Sequence, residues 1–527
     1  MRILHFSWEY PPVMYGGLGA HVLALTQEQV RRGHEVTVIT QAPIGVPTDD
    51  HHQERRGTVA FVLHSHLPWV LGHGGWPVGE EWLYQAYAHS YLPLFDALAH
   101  LGARGFRNIA SLGITPILAA QLDDPRTVTG LESWLHNWQL RAGSLPNNHP
   151  VRDYELGRAQ SALAIFRGHY SRGTAPRIRS LIDDQVVQFL GGPATHPFTP
   201  GLDERIHEIA IRAGLEDSAR RYGTSPIGIW VPECAYRPGQ EGVYQQLGIT
   251  HFMVDEPAVV AVGKNAGVPY RLGESMVKVV ARNAQISDLL WSHERGYAGA
   301  APYRDFHAVD HAYGLKLSAV GEKSQQDKPV YDPQSAQIQI EVDAQNFVRE
   351  LRTSFDVQRE QGTESPTVVI GVDAELLGHW WHEGVAWFER VIELLPESKI
   401  STSTLEQVTS TARTSIQLSA SSWGSGKDWS VWTGNPVRDI AMMNSQSQEY
   451  VLDLIDRNTC TAAHLNQLML QLSSDWAFMI TRETAAQYAR DRVLAHMSQL
   501  ESGVDPDAPF PLISFSASRV RTRTDSA

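Results

Sequence analysis

Thr367-Val368-Val369-Ile370-Gly371-Val372-Asp373-Ala374-Glu375-Leu376-Leu377-Gly378-His379-Trp380-Trp381 decides the fold. Six apolar or β-branched residues, too few for a helix and with no polar alternation, predict a strand buried on both faces, the kind found in parallel sheets. The run ends abruptly in a carboxylate. Five more segments share its texture: Val59–His64, Asn108–Leu112, Val186–Leu190, Gly228–Val231 and His251–Val254. Between them lie stretches with helical spacing, such as Trp82–Gly102 and Asp203–Tyr222. Polar or acidic residues follow nearly every strand. A closed barrel collects strand ends at one mouth, so the fold class is α/β, a barrel rather than an open sheet.

Outside this region the texture changes. Residues 1–41 read as one βαβ unit: Ile3–Trp8, a turn through Gly16-Gly17-Leu18-Gly19, a helix from Ala20 to about Arg32 closed by Gly33, and Glu35–Thr40. Polar breakers and prolines make 42–57 a linker. The barrel is expected over 58–403. Strands are expected to stop at Thr404, leaving a C-terminal helical domain over 404–502 built from Gln446–Ile455, Ala462–Leu472 and Thr484–Glu501, then a disordered tail over 503–527.

Composition narrows the function. In 527 residues, 42% hydrophobic and 19% charged, there is ample core, and 44 Lys+Arg against 58 Asp+Glu leave a net charge of −14. That charge disfavours nucleic acid and anionic membranes as partners. Two cysteines, Cys234 and Cys460, are too few for a disulfide framework. No apolar run spans a bilayer and the first residues carry no secretory pattern, so a cytoplasmic location is expected. Fifteen tryptophans and 23 histidines suit sugar recognition.

Chemistry concentrates in patches that follow strands or open helices: His64-Ser65-His66-Leu67-Pro68-Trp69, Gly191-Gly192-Pro193-Ala194-Thr195-His196-Pro197, Trp230-Val231-Pro232-Glu233-Cys234-Ala235-Tyr236, the Asp373–Trp381 stretch, and Ser473-Ser474-Asp475-Trp476-Ala477-Phe478. Glu233 and Asp373, at the ends of distant strands, can converge at a barrel mouth. Cleavage of a glycosidic bond needs such a pair, and aromatic neighbours would dry the site and raise the pKa of its acid. A single carboxylate of this kind reads more readily as a helix cap or surface ion pair; the company of the other patches favours chemistry.

The wording and order of these patches resemble glycoside hydrolase family 57, specifically its 1,4-α-glucan branching enzyme-like members of the actinobacterial type, over about Thr58 to Glu501. The resemblance implies a distorted (β/α)7 barrel followed by a helical domain. It also implies a retaining mechanism with Glu233 as nucleophile and Asp373 as general acid and base, and no cofactor. It places His66 and His196 around the attacked glucosyl unit and Trp291, Trp423, Trp432 and Asp475 along the glucan groove. The implied partner is an α-glucan, and the implied reaction passes a cleaved chain to a 6-hydroxyl. Residues 1–41 resemble the start of family 4 glycosyltransferases of the glycogen synthase type.

Two alternatives stay open. Asp255–Leu290, where such branching enzymes carry a lid tyrosine, is short and holds only Tyr270, which leaves room for an amylase-like α-1,4-glucan hydrolase. Alternatively, His64 and His66 with His196, His379 and His382 could hold a metal, as in a metal-dependent polysaccharide deacetylase with Asp373 as ligand or base.

Overall fold

The computed structural model describes residues 56–510 apart from 77, 293–294 and 323–326, together with two strands and a few positions near the start of the chain. Those strands, β1 (Arg2–Ser7) and β2 (Glu35–Thr40), pair in parallel from Arg2 with Glu35 to Ser7 with Thr40. They are the two expected of the βαβ unit. The Gly16–Gly19 turn, most of the expected helix and residues 41–55 lie outside the described residues. The last two linker positions already belong to the barrel: Arg56 donates its amide to Lys399 O (2.9 Å) and Gly57 opens the first barrel strand.

The strands that follow are β3 (Gly57–Ser65), β4 (Ala110–Ile114), β5 (Val187–Leu190), β6 (His251–Val254), β7 (Tyr270–Leu272), β8 (Lys278–Ala281), β9 (Thr367–Asp373), β10 (Ile400–Thr402) and β11 (Ser415–Ile416). β3 is central and buried on both faces, which accounts for its unbroken apolar run. It pairs in parallel with β9 from Thr58–Thr367 to His64–Asp373, and on its other edge with β10 and then β4. β4 pairs with β5. Single bridges then join Gly191 to Ile229 and Gly228 to His251, inserting residues 228–231 as a stave between β5 and β6. β6 pairs with β8. The amide of Asn283, just past β8, donates to Val369 O of β9 (2.7 Å) and closes the ring. The result is a barrel of seven staves, distorted because three of its joints are single bridges or one hydrogen bond. β8 escapes a reading by texture because it is only four residues long and begins on Lys278.

β7, antiparallel to β8, and β11, parallel to β7, form an annex outside the ring. β11 corrects the expectation that strands end at Thr404. Helix Leu405–Ser410 also belongs to the barrel, with Leu405 packed among Ala60, Val62 and Val280. The helical domain proper comprises Arg438–Asp456, Ala462–Gln471, Ser474–Thr481 and Ala486–Ser502. Its Leu468, Met469 and Leu472 pack with Trp69 and Leu71, on the loop that leaves β3. Residues 503–510, assigned by composition to a disordered tail, lie against this domain. Asp505 accepts from Asn466 (2.7 Å) and Gln467 (2.8 Å), and Phe510 is 3% exposed. No described helix is long and apolar enough to cross a membrane.

Helix Pro333–Glu360 covers the barrel flank. It begins at Asp332, whose carboxylate accepts the amides of Gln334 and Ser335. Its Phe347 is fully buried, 5.0 Å from Trp387 and 6.2 Å from Phe61 between ring centroids. Phe347→Ala should cost about 3–5 kcal/mol through lost burial and a residual cavity. The thermal midpoint should fall by on the order of 5–10 °C, while the activity of the folded protein at 25 °C persists; differential scanning calorimetry beside an activity assay checks both.

Candidate active site

Every stave delivers chemistry to the same end of the barrel. His64 is the next-to-last residue of β3 and His66 follows the strand; Thr115 follows β4, His196 follows β5, Glu233 follows the 228–231 stave, Asp255 follows β6, Arg282 follows β8, and Asp373 ends β9. Two of these residues sit in the left-handed backbone region that side chains seldom adopt: His196 (φ 58°) and Glu233 (φ 61°), the latter followed by Cys234 (φ 46°). Such conformations cost of order 1–3 kcal/mol each and persist only where surrounding bonds enforce them. Around Glu233 they do. Cys234 donates its amide to Val231 O (3.0 Å), Ala235 to Pro232 O (3.0 Å), and Trp423 to Glu233 O (3.0 Å).

The Glu233 carboxylate accepts from Trp423 Nε1 (2.8 Å) and Ser474 Oγ (2.7 Å). Ser474 comes from the helical domain, so the site has walls from both units. Behind it runs a chain of neutral imidazoles: Ser474 Oγ is 2.9 Å from His196 Nδ1, and His196 Nε2 is 3.0 Å from His64 Nε2. One proton assignment satisfies every link. Ser474 gives its hydrogen to Glu233, His196 gives Nδ1–H to Ser474, and His64 gives Nε2–H to His196. Burial lowers the pKa of both rings well below the usual imidazole value, with neighbouring histidines adding to the effect. His66 stacks on His196 with centroids 4.0 Å apart; its Nε2 is 2.7 Å from Asp475 Oδ2 and its Nδ1 2.9 Å from Thr115 Oγ1.

Carboxyl groups crowd the mouth. Burial raises the pKa of Glu233, and the charge of Asp475 adds to this, while the bonds from Trp423 and Ser474 and the nearby His66 pull it down. Asp373 is raised well above the carboxylate range by burial, then by the charges of Glu375 and Glu233; Arg282 opposes them. Glu375 is pushed up to about 7 by burial, against hydrogen bonds from Tyr91 and the His66 amide (3.0 Å). Asp475 moves the other way: burial is outweighed by His66, His196 and Ser473, which hold its pKa down. Two half-buried carboxyls share one mouth, Asp373 disfavoured as an anion and Glu233 fed by two donors, and a pair so differentiated can supply both a proton and an attacking oxygen to a glycosidic bond.

The tryptophan that feeds Glu233 is itself clamped. Buried Asp255 accepts from Arg282 Nε (2.6 Å) and pairs with Lys427 (2.7 Å), while the Arg282 guanidinium lies 5.3 Å from the Trp423 ring centroid. The turn carrying Trp423 is thereby tied to the ends of β6 and β8.

Of the residues expected from the sequence, Glu233, Asp373, His66, His196, Asp475 and Trp423 come together. Trp432 does not fit the groove it was expected to line. It is 4% exposed and stacked flat on Phe198 (4.9 Å, 10°), in the cluster that joins the barrel loop to helix Ser474–Thr481. Trp291 is 48% exposed at the end of helix Ala284–Trp291, with its ring edge-on to Trp380 at 5.6 Å and away from the hydrogen-bonded core of the site. Tyr270 is a buried β7 residue donating to Asn265 O (3.1 Å), not a residue of a lid. The five-histidine cluster does not assemble: His382 lies with Arg158 and Tyr154, and His379 with Phe306. Donor atoms of His66, His196 and Asp475 do lie within 4.8 Å of one another, a possible three-point metal set, although each residue already hydrogen-bonds within the site. Sequence reasoning assigned no role to Glu375, Tyr91, Ser474, Asp255 or Arg282. Glu375 and Ser474 were quoted within the motifs; Tyr91, Asp255 and Arg282 acquire their places only through folding.

The glycosyl hydrolase family 57 pattern matches residues 60–419, and a 1,4-alpha-glucan branching enzyme C-terminal pattern matches 441–503. A starch synthase catalytic domain pattern matches 2–80, well past the expected end of that resemblance at residue 41. A probable 1,4-alpha-glucan branching enzyme of Mycobacterium tuberculosis is 39% identical over 480 residues, 84% of this chain and 90% of its own length. The crystal structure of a family 57 branching enzyme from Thermococcus kodakaraensis superposes with a TM-score of 0.80 at 26% identity, covering 88% of this chain and 95% of that one. An alpha-amylase, AmyC of Thermotoga maritima, superposes with a TM-score of 0.75 at 25% identity, covering 88% and 97%.

Ser474→Ala removes a hydrogen bond made to the charged form of Glu233, so it should raise a pKa that is already raised. The loss of one such bond corresponds to about one pH unit. Carboxylate infrared titration, with Glu233→Gln as the blank, should show the ionisation midpoint moving upward; a downward move would contradict the assigned donor.

Proposed function

Because this chain belongs to glycosyl hydrolase family 57, we propose that it cleaves α-1,4 bonds of a glucan with retention and passes the freed chain to a 6-hydroxyl, as a 1,4-α-glucan branching enzyme. The observation that carries this reading is the half-buried pair, Glu233 and Asp373, with unequal resistance to ionisation at one barrel mouth. Asp373 gives its proton to the glycosidic oxygen while a Glu233 oxygen attacks C1, forming a glycosyl ester and releasing the leaving chain. Asp373, now a carboxylate, takes the proton of an incoming hydroxyl as that oxygen attacks C1 and frees Glu233. Trp423 and Ser474 hold the Glu233 carboxylate in place for attack. Arg282, by favouring the charged form of Asp373, eases the step in which that residue must act as an anion.

The helical domain supports transfer by supplying Ser474 and Asp475 to the wall of the site, and Trp291 offers an exposed ring for an extended chain. A second reading, α-1,4 hydrolysis, is favoured by one observation: Tyr270 is built into β7, so Asp255–Leu290 brings no tyrosine to shield the ester from water. The cytoplasm is the proposed location, in keeping with two free cysteines.

Glu233→Gln should abolish turnover, because an amide cannot form the ester; Asp373→Asn should lose proton transfer yet still react with glycosyl fluorides, whose leaving group needs little acid help. With wild-type protein and amylose, proton NMR should show the α-1,6 anomeric signal growing while reducing ends stay nearly constant. Reducing ends rising alone would mark a hydrolase. Activity should rise with pH as Glu233 ionises and fall as Asp373 loses its proton, with both limbs above the ordinary carboxylate range because both pKa values are raised.

A further inference from the structure

His379 and His382, which the active site leaves aside, line a second cavity of about 320 Å³. It lies between the helices Glu80–Ala86 and Pro125–Gly143, the loop 304–316 and the turn 378–382. Neither Glu233 nor Asp373 reaches it. Four tryptophans line it, Trp134, Trp138 and Trp380 as apolar walls and the exposed Trp76 beside them, and the volume is at the lower end of the about 300–1,000 Å³ typical of small-molecule pockets. That suits a short saccharide rather than a long chain.

Its charges are unequally spent. Each carboxylate in the lining is already occupied. Glu81 accepts the indole N–H of Trp134 (3.0 Å), and Glu155 accepts that of Trp138 (2.8 Å) while pairing with Arg304 (2.8 Å). Asp305 pairs with Lys328 and accepts the amides of His307 (2.6 Å) and Ala308 (2.7 Å). The Lys316 ammonium, by contrast, has no carboxylate at ion-pair distance among the described residues. It stands 3.6 Å from the centroid of Phe306, and burial together with the Arg304 charge brings its pKa down to about 8. Nε and Nη2 of Arg304 are buried without a hydrogen-bond acceptor. A half-buried ammonium facing a polar, aromatic-walled space, with neighbouring acids committed elsewhere, is a place for an anion.

We propose that this cavity binds a saccharide carrying a phosphate or carboxylate group, with its ring against the indole walls and its anion on Lys316. The site is independent of the branching reaction and stands or falls apart from it. Titration calorimetry of the full chain with glucose 1-phosphate, glucuronate, glucose and inorganic phosphate tests the assignment. Glucose 1-phosphate or glucuronate should bind, and whichever binds identifies the anion; glucose and inorganic phosphate should each bind at least about tenfold more weakly. Lys316→Met should weaken the anionic sugar by about tenfold or more, while Lys316→Arg should keep it, with amylose turnover and thermal midpoint unchanged in both. Four results would overturn the proposal: glucose or inorganic phosphate binding as tightly as the anionic sugar, Lys316→Met binding like wild type, Lys316→Met losing affinity only together with its thermal midpoint while Lys316→Arg fails to bind, or neither anionic sugar binding at about 10 mM.

Discussion

The site depends on a hydrogen bond between two folding units: Ser474, from the first turn of a helix in the C-terminal domain, donates to the carboxylate of Glu233 at the barrel mouth. A buried carboxylate without donors would surrender its charge, and a nucleophile without charge is inert. Trp423 supplies the other donor, and it is held by the Asp255–Arg282–Lys427 clamp. The left-handed backbone at Glu233 and Cys234 is tolerated because bonds from Trp423 and the flanking chain fix it from outside. Strain, burial and interdomain docking are one arrangement, and the barrel alone would not complete it.

Much of this was legible in the sequence, for a physical reason. A parallel strand buried on both faces must be apolar, and the first polar residue after it must emerge at a barrel end, so Glu233 and Asp373 advertise themselves. The stave at 228–231 reads as a strand although only single bridges hold it, because its burial, not its ladder, sets its composition. β8 and β11 are too short for texture to speak.

Other features depend on where distant segments land. Trp432 sits in a Gly- and Ser-rich stretch that looks like a surface loop, but Phe198 and helix Ser474–Thr481 close over it. Glu375 lies two positions from Asp373; its partners come from elsewhere, Tyr91 from a helical segment and the His66 amide from the end of β3, and they hold it beside the other carboxyls. Phe510 and the two aspartates before it look like the start of a polar tail, yet the helical domain has a slot for the ring and side-chain amides for Asp505, while His73 on the loop after β3 takes Asp507. Composition reports average solvation, and a single anchor residue escapes it.

The closure of the ring between β8 and β9 has a mechanical meaning. Elsewhere around β3 and β4 the staves share ladders of several bonds, whereas here the Asn283 amide and Val369 carbonyl hold the backbones together. This is one of three joints in the ring that lack a ladder, with Gly191–Ile229 and Gly228–His251, and it is the one beside Asp373. Asp373 ends β9 on one side of it, and Arg282 directly follows β8 on the other. The spacing between Asp373 and the cation that opposes its raised pKa is therefore set by the least-laddered side of β9, so the scaffold's weakest fastening and the carboxyl's electrostatics share one place.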